Sequence, residues 1–226
     1  MPRISQLTDD FAERFNFEPS RVSQIAKALR ADDAALIRSG PRGVNAPDAT
    51  PLEAARLLIA MMLRVKHHEA AEGVKLFGGF RSLNDQPVTI GGRSAESFED
   101  AFALVLAYCG NEATPGEFNP FFDRFEFSIS IYRDTCSAEI HIGQWAEDQG
   151  EDEDAEPVFE RQETYRFLHP EYGASLANNA QLTPELRAAW RRYRAGFREV
   201  PSLWKSDLIE IGQVLAGYAA PLEASE

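Results

Sequence analysis

The chain is poor in the residues that build covalent or metal frameworks. Its 226 residues include two cysteines, Cys109 and Cys136, and four histidines. Two thiols so far apart make neither a disulfide framework nor a zinc knuckle, so each reads as a small buried apolar residue. No apolar run is long enough to span a bilayer, and the N-terminus lacks the basic-then-apolar pattern of a secretory leader. A cytoplasmic protein with no membrane partner is therefore expected. No glycine-rich phosphate loop follows a strand, and neither a nucleophile elbow nor an HExxH helix occurs. The chain reads as a non-enzyme with no metal and no cofactor.

Cations are scarce as well, and the net charge is −13. That total argues against a simple nucleic-acid binder, but its distribution reverses the argument. Residues 1–81 carry twelve Lys and Arg against ten Asp and Glu, whereas residues 82–226 carry eleven against 26. A near-neutral region binds DNA when its few cations share one face.

The first 65 residues carry the clearest pattern. Ile4, Leu7, Phe11 and Phe15 recur at helical spacing and predict a helix over Ile4–Phe15. Asn16-Phe17-Glu18-Pro19 breaks it. A second helix is expected over Ser20–Arg30, with Val22, Ile25, Ala26 and Leu29 as its buried stripe. Winding at about 100° per residue then turns Ser20, Gln24 and Lys27 outward, flanked by Arg21, Ser23 and Arg30. These side-chain types read base edges and phosphates, although an ordinary solvated helix face has the same look. Leu36-Ile37-Arg38 suggests a short strand into a wing, Ser39-Gly40-Pro41-Arg42-Gly43, from which Arg38 and Arg42 would reach phosphates or a minor groove. Thr50-Pro51-Leu52-Glu53 is a capped start for an apolar helix over Pro51–Arg64. That helix is apolar nearly all round, so more than one side must be covered. The pair His67-His68 invites a metal reading. Neighbouring helical side chains diverge, however, and a solvated helix end fits better.

The run Val22…Ala26-Lys27-Ala28-Leu29-Arg30, Leu36-Ile37…Gly40…Arg42-Gly43…Ala46-Pro47, Thr50…Glu53-Ala54-Ala55…Leu58-Ile59 resembles the N-terminal part of proteins encoded in prophage-like regions of alphaproteobacteria. The resemblance covers about the first 65 residues. It implies a winged helix-turn-helix in a phage or mobile-element setting, and no catalytic residues come with it.

The second region reads as α+β. Val88–Ile90 suggests a strand and Ser94–Tyr108 a helix. Phe125, Phe127, Ile129 and Ile131 alternate with polar residues, as do Cys136, Ala138, Ile140 and Ile142 after Arg133-Asp134-Thr135. This predicts a β-hairpin with one wet face. Val158–Phe167 would add a strand. Glu147–Glu156 holds seven acids in ten residues. It reads as a solvated loop or as a phosphate-mimicking segment over a basic face. Thr183–Arg194 starts with Thr-Pro and forms a basic helix with Trp190, expected to pack Trp190 inward or to contact nucleic acid. Lys205–Gly217 would cover the sheet.

The expected fold is thus α+β: a winged helix-turn-helix in residues 1–82, then an acidic α+β domain in 83–226 with an antiparallel hairpin or sheet and covering helices. The function expected first is a phage-type transcriptional regulator that reads double-stranded DNA as a homodimer. Its site residues would be Ser20, Arg21, Ser23, Gln24, Lys27, Arg30, Arg38 and Arg42. The acidic domain would dimerise or bind a host or phage protein. Two alternatives stand beside it: an acidic nucleic-acid mimic that blocks a host enzyme, and a DNA-packaging or assembly component.

Overall fold

A computed structural model describes residues 2–31, 33–39, 47–90, 92–112, 125–145, 159–172, 182–193 and 200–217. The fold is mixed α+β, with helices first and an antiparallel sheet after them.

Helices α1 (Ile4–Arg14) and α2 (Pro19–Arg30) bury the two stripes that the spacing selects. Leu7, Phe11, Val22, Ile25 and Leu29 are sealed from solvent. Helix α3 (Pro51–Leu63) starts with the expected capping box: Thr50 Oγ1 accepts from Glu53 N–H at 3.2 Å, and Glu53 accepts from Thr50 N–H at 2.9 Å. Such a cap contributes about 1 kcal/mol. Its apolar circumference is covered by α1, α2, α4 and α5, which makes it the central helix of this part. A 3₁₀ turn, His67–Glu69, leads into α4 (Ala70–Gly78). Sequence reasoning missed α4, because only Ala70, Val74 and Phe77 mark its face before Gly78-Gly79 interrupts the pattern.

The sheet has the order β1-β6-β5-β4-β7, with every neighbouring pair antiparallel. Its strands are β1 (Arg81–Ser82), β4 (Phe125–Tyr132), β5 (Ser137–Trp145), β6 (Phe159–Leu168) and β7 (Ser202–Trp204). Register places Phe127 opposite Ile142, Ile129 opposite Ile140 and Ile131 opposite Ala138, so one face is apolar. Cys136 belongs to the turn rather than to β5, at φ 51°, and its side chain is nonetheless buried. A separate hairpin joins β2 (Val88–Ile90) to β3 (Arg93–Ala95). This corrects the expected helix start at Ser94. Helix α5 (Phe98–Glu112) begins after Ser97, whose hydroxyl accepts from Asp100 N–H at 3.3 Å. Phe98 and Tyr108 of α5 meet Phe167 and Phe127 of the sheet at ring-centroid distances of 5.4 and 6.3 Å. Helix α6 (Pro184–Tyr193) is capped by Thr183, which accepts from Leu186 N–H at 3.3 Å. Helix α7 (Lys205–Ala216) packs on β4 and β7, as expected, and most closely on α5.

Glycine sets that last contact. A Cβ at Gly110 would lie 2.5 Å from the Gly212 carbonyl oxygen, and one at Gly212 would lie 2.6 Å from Gly110 N. Backbones approach this closely only where neither residue has a side chain.

Packing continues across residue 82. One apolar core runs from Ile4 to Leu215. Residue 82 lies in β1, the edge strand paired with β6. The Arg56 guanidinium of α3 grips the Glu99 carboxylate of α5 through two bonds, 2.7 and 2.9 Å. Arg14 of α1 pairs with Glu210 of α7.

Candidate nucleic-acid interface

The chain turns between α1 and α2 in a tight link. Asn16 takes a left-handed φ of 51°, which asparagine tolerates better than most residues, and Phe17 N–H returns to Ala12 O at 2.8 Å. Glu18 then caps α2. Its carboxylate accepts from the N–H groups of Ser20 and Arg21, both at 3.2 Å, and from the Ser20 hydroxyl. The Ser20 hydroxyl, foremost among these donors, holds Glu18 below the ordinary carboxylate range. The positive end of α2 is therefore already occupied by a carboxylate. Any anion at this helix has to meet its face rather than its tip.

That face is the one the sequence selects. Ser20, Arg21, Ser23, Gln24 and Lys27 are exposed and Arg30 is half-buried, while Val22, Ile25, Ala26 and Leu29 point inward. The Arg21 guanidinium carbon stands 5.5 Å from the centre of the Phe17 ring, close enough for a cation–π contact. Ser23, Gln24 and Lys27 have no side-chain partner among the described residues.

Arg38 is engaged within the fold. Among the described residues Leu36–Arg38 joins no strand ladder; Leu36 and Ile37 instead donate their N–H groups to Leu29 O at 3.0 and 3.1 Å. The Arg38 guanidinium makes two 3.0 Å bonds to Glu53, and its Nη2 reaches Asp48 O at 2.7 Å. Glu53 is buried. Burial is the largest single influence on its carboxyl and pushes it upward. The Arg38 side chain and N–H, with the Thr50 N–H and hydroxyl, together outweigh burial and bring it to about 2. Arg38 thus ties the end of the α2–α3 connection to the start of α3. Residues 40–46, including Arg42 and the rest of the expected wing, lie outside the described residues. Asp48 returns as an isolated bridge partner of Arg3.

Buried carboxylates sort the cations of the helical part. Arg14 is held by Asp10 and Arg38 by Glu53, and Arg56 pairs with Glu99. Sequence reading missed this sorting, because Asp10 looks like an ordinary surface acid and Glu53 reads only as the partner of Thr50 in a helix cap. Their places on the inward arcs of α1 and α3 are what separates the two from surface acids.

Other candidates lead away from chemistry. His67 and His68 are exposed, and no group of three potential metal ligands occurs among the described residues. Burial, the chief cause, pushes both Cys109 and Cys136 thiols up to about 12, so they stay protonated and unreactive near neutral pH. In α6, Arg192 pairs with Glu72 and Arg187 donates to Leu182 O at 2.8 Å. Both contacts neutralise or satisfy local groups. The side chain of Trp190, Arg194 and the acidic block Glu147–Glu156 lie outside the described residues. Among the described residues no helix is long and apolar enough to cross a membrane. No family model, no curated protein and no solved structure matches this chain.

Proposed function

We propose that the protein binds double-stranded DNA through α2, in the manner of a winged helix-turn-helix, and acts as a transcriptional regulator. The observation that carries this reading is the division of α2. One arc is locked into the core, and the opposite arc presents Ser20, Arg21, Ser23, Gln24 and Lys27 to solvent. Gln and Arg form bidentate bonds with base edges, and Lys and Ser contact phosphates. Glu18 at the helix tip keeps phosphate away from that end and favours entry of the face itself. Arg42 would supply the wing contact, with Arg38 anchoring the wing's base rather than reaching outward. One such module buries little area, so binding as a homodimer is part of the proposal.

Fluorescence anisotropy on a random-sequence duplex pool, with the full chain, tests it. Lys27→Ala should weaken binding about fivefold and lower the salt slope by about one. Gln24→Ala should leave that slope unchanged and lower discrimination between selected and random duplexes. A chain that binds no duplex at low salt would overturn the proposal.

A further inference from the structure

Among the cations of the helical part, Arg14, Arg38 and Arg56 are held in ion pairs with Asp10, Glu53 and Glu99. Arg21, Lys27 and Arg30 sit on α2, and Lys66 and Lys75 on the segment that follows α3. That segment leaves α3 with Arg64 in a left-handed conformation, φ 50°, which turns the chain sharply. It then forms the 3₁₀ turn, which packs directly against α2 and α4. Lys66, His67 and His68 are exposed there, with the two imidazole rings edge-to-face at 5.6 Å. Lys66 has no ion-pair partner among the described residues.

The spacing fits a duplex. A helix seated in a major groove about 12 Å wide has a phosphate strand along each flank. An element packed beside that helix lies about 10 Å from its axis, a separation comparable to the width of the groove. We infer that the Lys66-His67-His68 turn is a second DNA contact, a phosphate-binding rim beside α2. It would hold the backbone on one flank while α2 reads the groove. This inference rests on the reading of α2 as the groove-facing helix.

Two histidines give the rim a signature that lysines lack. Histidine is the side chain whose charge ordinarily changes between pH 5 and 8. Protonation adds positive charge against phosphate, so affinity should rise as the pH falls. The charged groups on the packed elements are mixed. Arg21, Lys27 and Arg30 lie on α2, Glu72 and Lys75 on α4, and Glu69 ends the turn itself. Glu72 is engaged by Arg192, and Lys75 donates to Asp33 O at 3.0 Å. Glu69, with no ion-pair partner among the described residues, offsets part of the rim's charge, and phosphate would meet the rest.

The experiment is anisotropy titration of the full chain against a labelled random duplex at pH 8 and pH 6, over a range of salt. The expected results are affinity about fivefold tighter at pH 6, and loss of that gain in a His67→Gln/His68→Gln variant. Lys66→Ala should lower the salt slope by about one at both pH values, and Lys66→Arg should restore it. All three positions are exposed turn residues, and His141 and His169 remain in every variant, so a pH response surviving in the double variant belongs elsewhere. A pH response or salt slope unchanged by the rim variants, with Lys27→Ala still weakening binding, would overturn the rim and leave the α2 reading intact. A chain that binds no duplex would overturn both.

Discussion

In the helical part, carboxylates are buried to hold arginines. The side chain of Asp10 is 0% exposed and that of Glu53 is 6% exposed. In the sheet part the paired acids are more open: Glu96, the partner of Arg81, is 71% exposed, and Glu139, the partner of Arg166, is 17% exposed. The interior there is closed by apolar register and by the glycine crossing of α5 and α7. This difference matters for function. An exposed pair cancels charge locally and does little else. A buried acid that binds an arginine offsets that cation's charge, and it fixes the arginine in place at the same time. Arg21, Lys27 and Arg30 remain on α2 and Lys66 beside it, even though the sequence of the helical part is nearly neutral.

The comparison breaks most visibly at the α5–α7 crossing. Gly212→Ala would gain about 1 kcal/mol of helix propensity in open space. Here the new methyl meets the Leu106 carbonyl oxygen at 2.8 Å and Gly110 N at 2.6 Å. Backbone atoms cannot rotate aside, so overpacking outweighs propensity, and a net loss of about 2–3 kcal/mol is expected. Urea unfolding checks it. A variant as stable as the parent would show that the helices separate at little cost, and that the sheet part is not closed by this contact.

The buried acid of the helical part comes next. Glu53 is held at about 2, below the ordinary 4.5. Its folded form is the more acidic, so its contribution is complete above about pH 5 and disappears as the pH falls towards 2. The shift alone would represent about 3 kcal/mol. Arg38 stands half in solvent, which reduces the expected loss in Glu53→Gln to about 2 kcal/mol at pH 7. The stability gap between parent and variant should narrow steadily from pH 5 to pH 3. A gap that stays constant would mean that Glu53 does not anchor Arg38 as an ion.

Local pattern was legible from sequence in both parts, and partnership across the chain was not. The stripes of α1 and α2, the Thr50 cap and the alternation of β4 and β5 each depend on residues within a turn or a strand length. Periodicity exposes such features directly. Helix α4 escaped because one buried glycine, Gly73, and a weak stripe blurred it. Gly73 is there because a Cβ would meet Leu63 at 2.8 Å and Tyr193, far away in sequence, at 3.1 Å. β1 and β7, two or three residues each, carry no period at all and exist because β6 and β4 offer them edges. At the candidate site, the exposed set on α2 followed from winding alone. The capture of Arg38 by Glu53 did not, because fifteen residues separate the two and nothing in the spacing marks them as a pair.

The smallest predicted effect concerns the joint between the two parts. Arg56 donates to Glu99 through Nε and Nη2, and its Nη1 reaches Leu36 O at 2.8 Å. The guanidinium thus touches α5 and the loop after α2 at once. Gly78 leaves room for the carboxylate, since a Cβ there would lie 2.7 Å from Glu99 Oε2. In a double-mutant cycle, Arg56→Met keeps the aliphatic stem and removes both sets of bonds, whereas Glu99→Gln removes only the charge. The two side chains are 20% and 17% exposed. A coupling of about 1 kcal/mol is therefore expected, between the values for surface and fully buried pairs. The arginine variant should also cost more than the glutamate variant, because the Leu36 carbonyl loses its donor. Equal single effects would show that Arg56 serves α5 alone. A coupling near zero would mean that the apolar face shared by α3 and α5 joins the helical and sheet parts without help from charge.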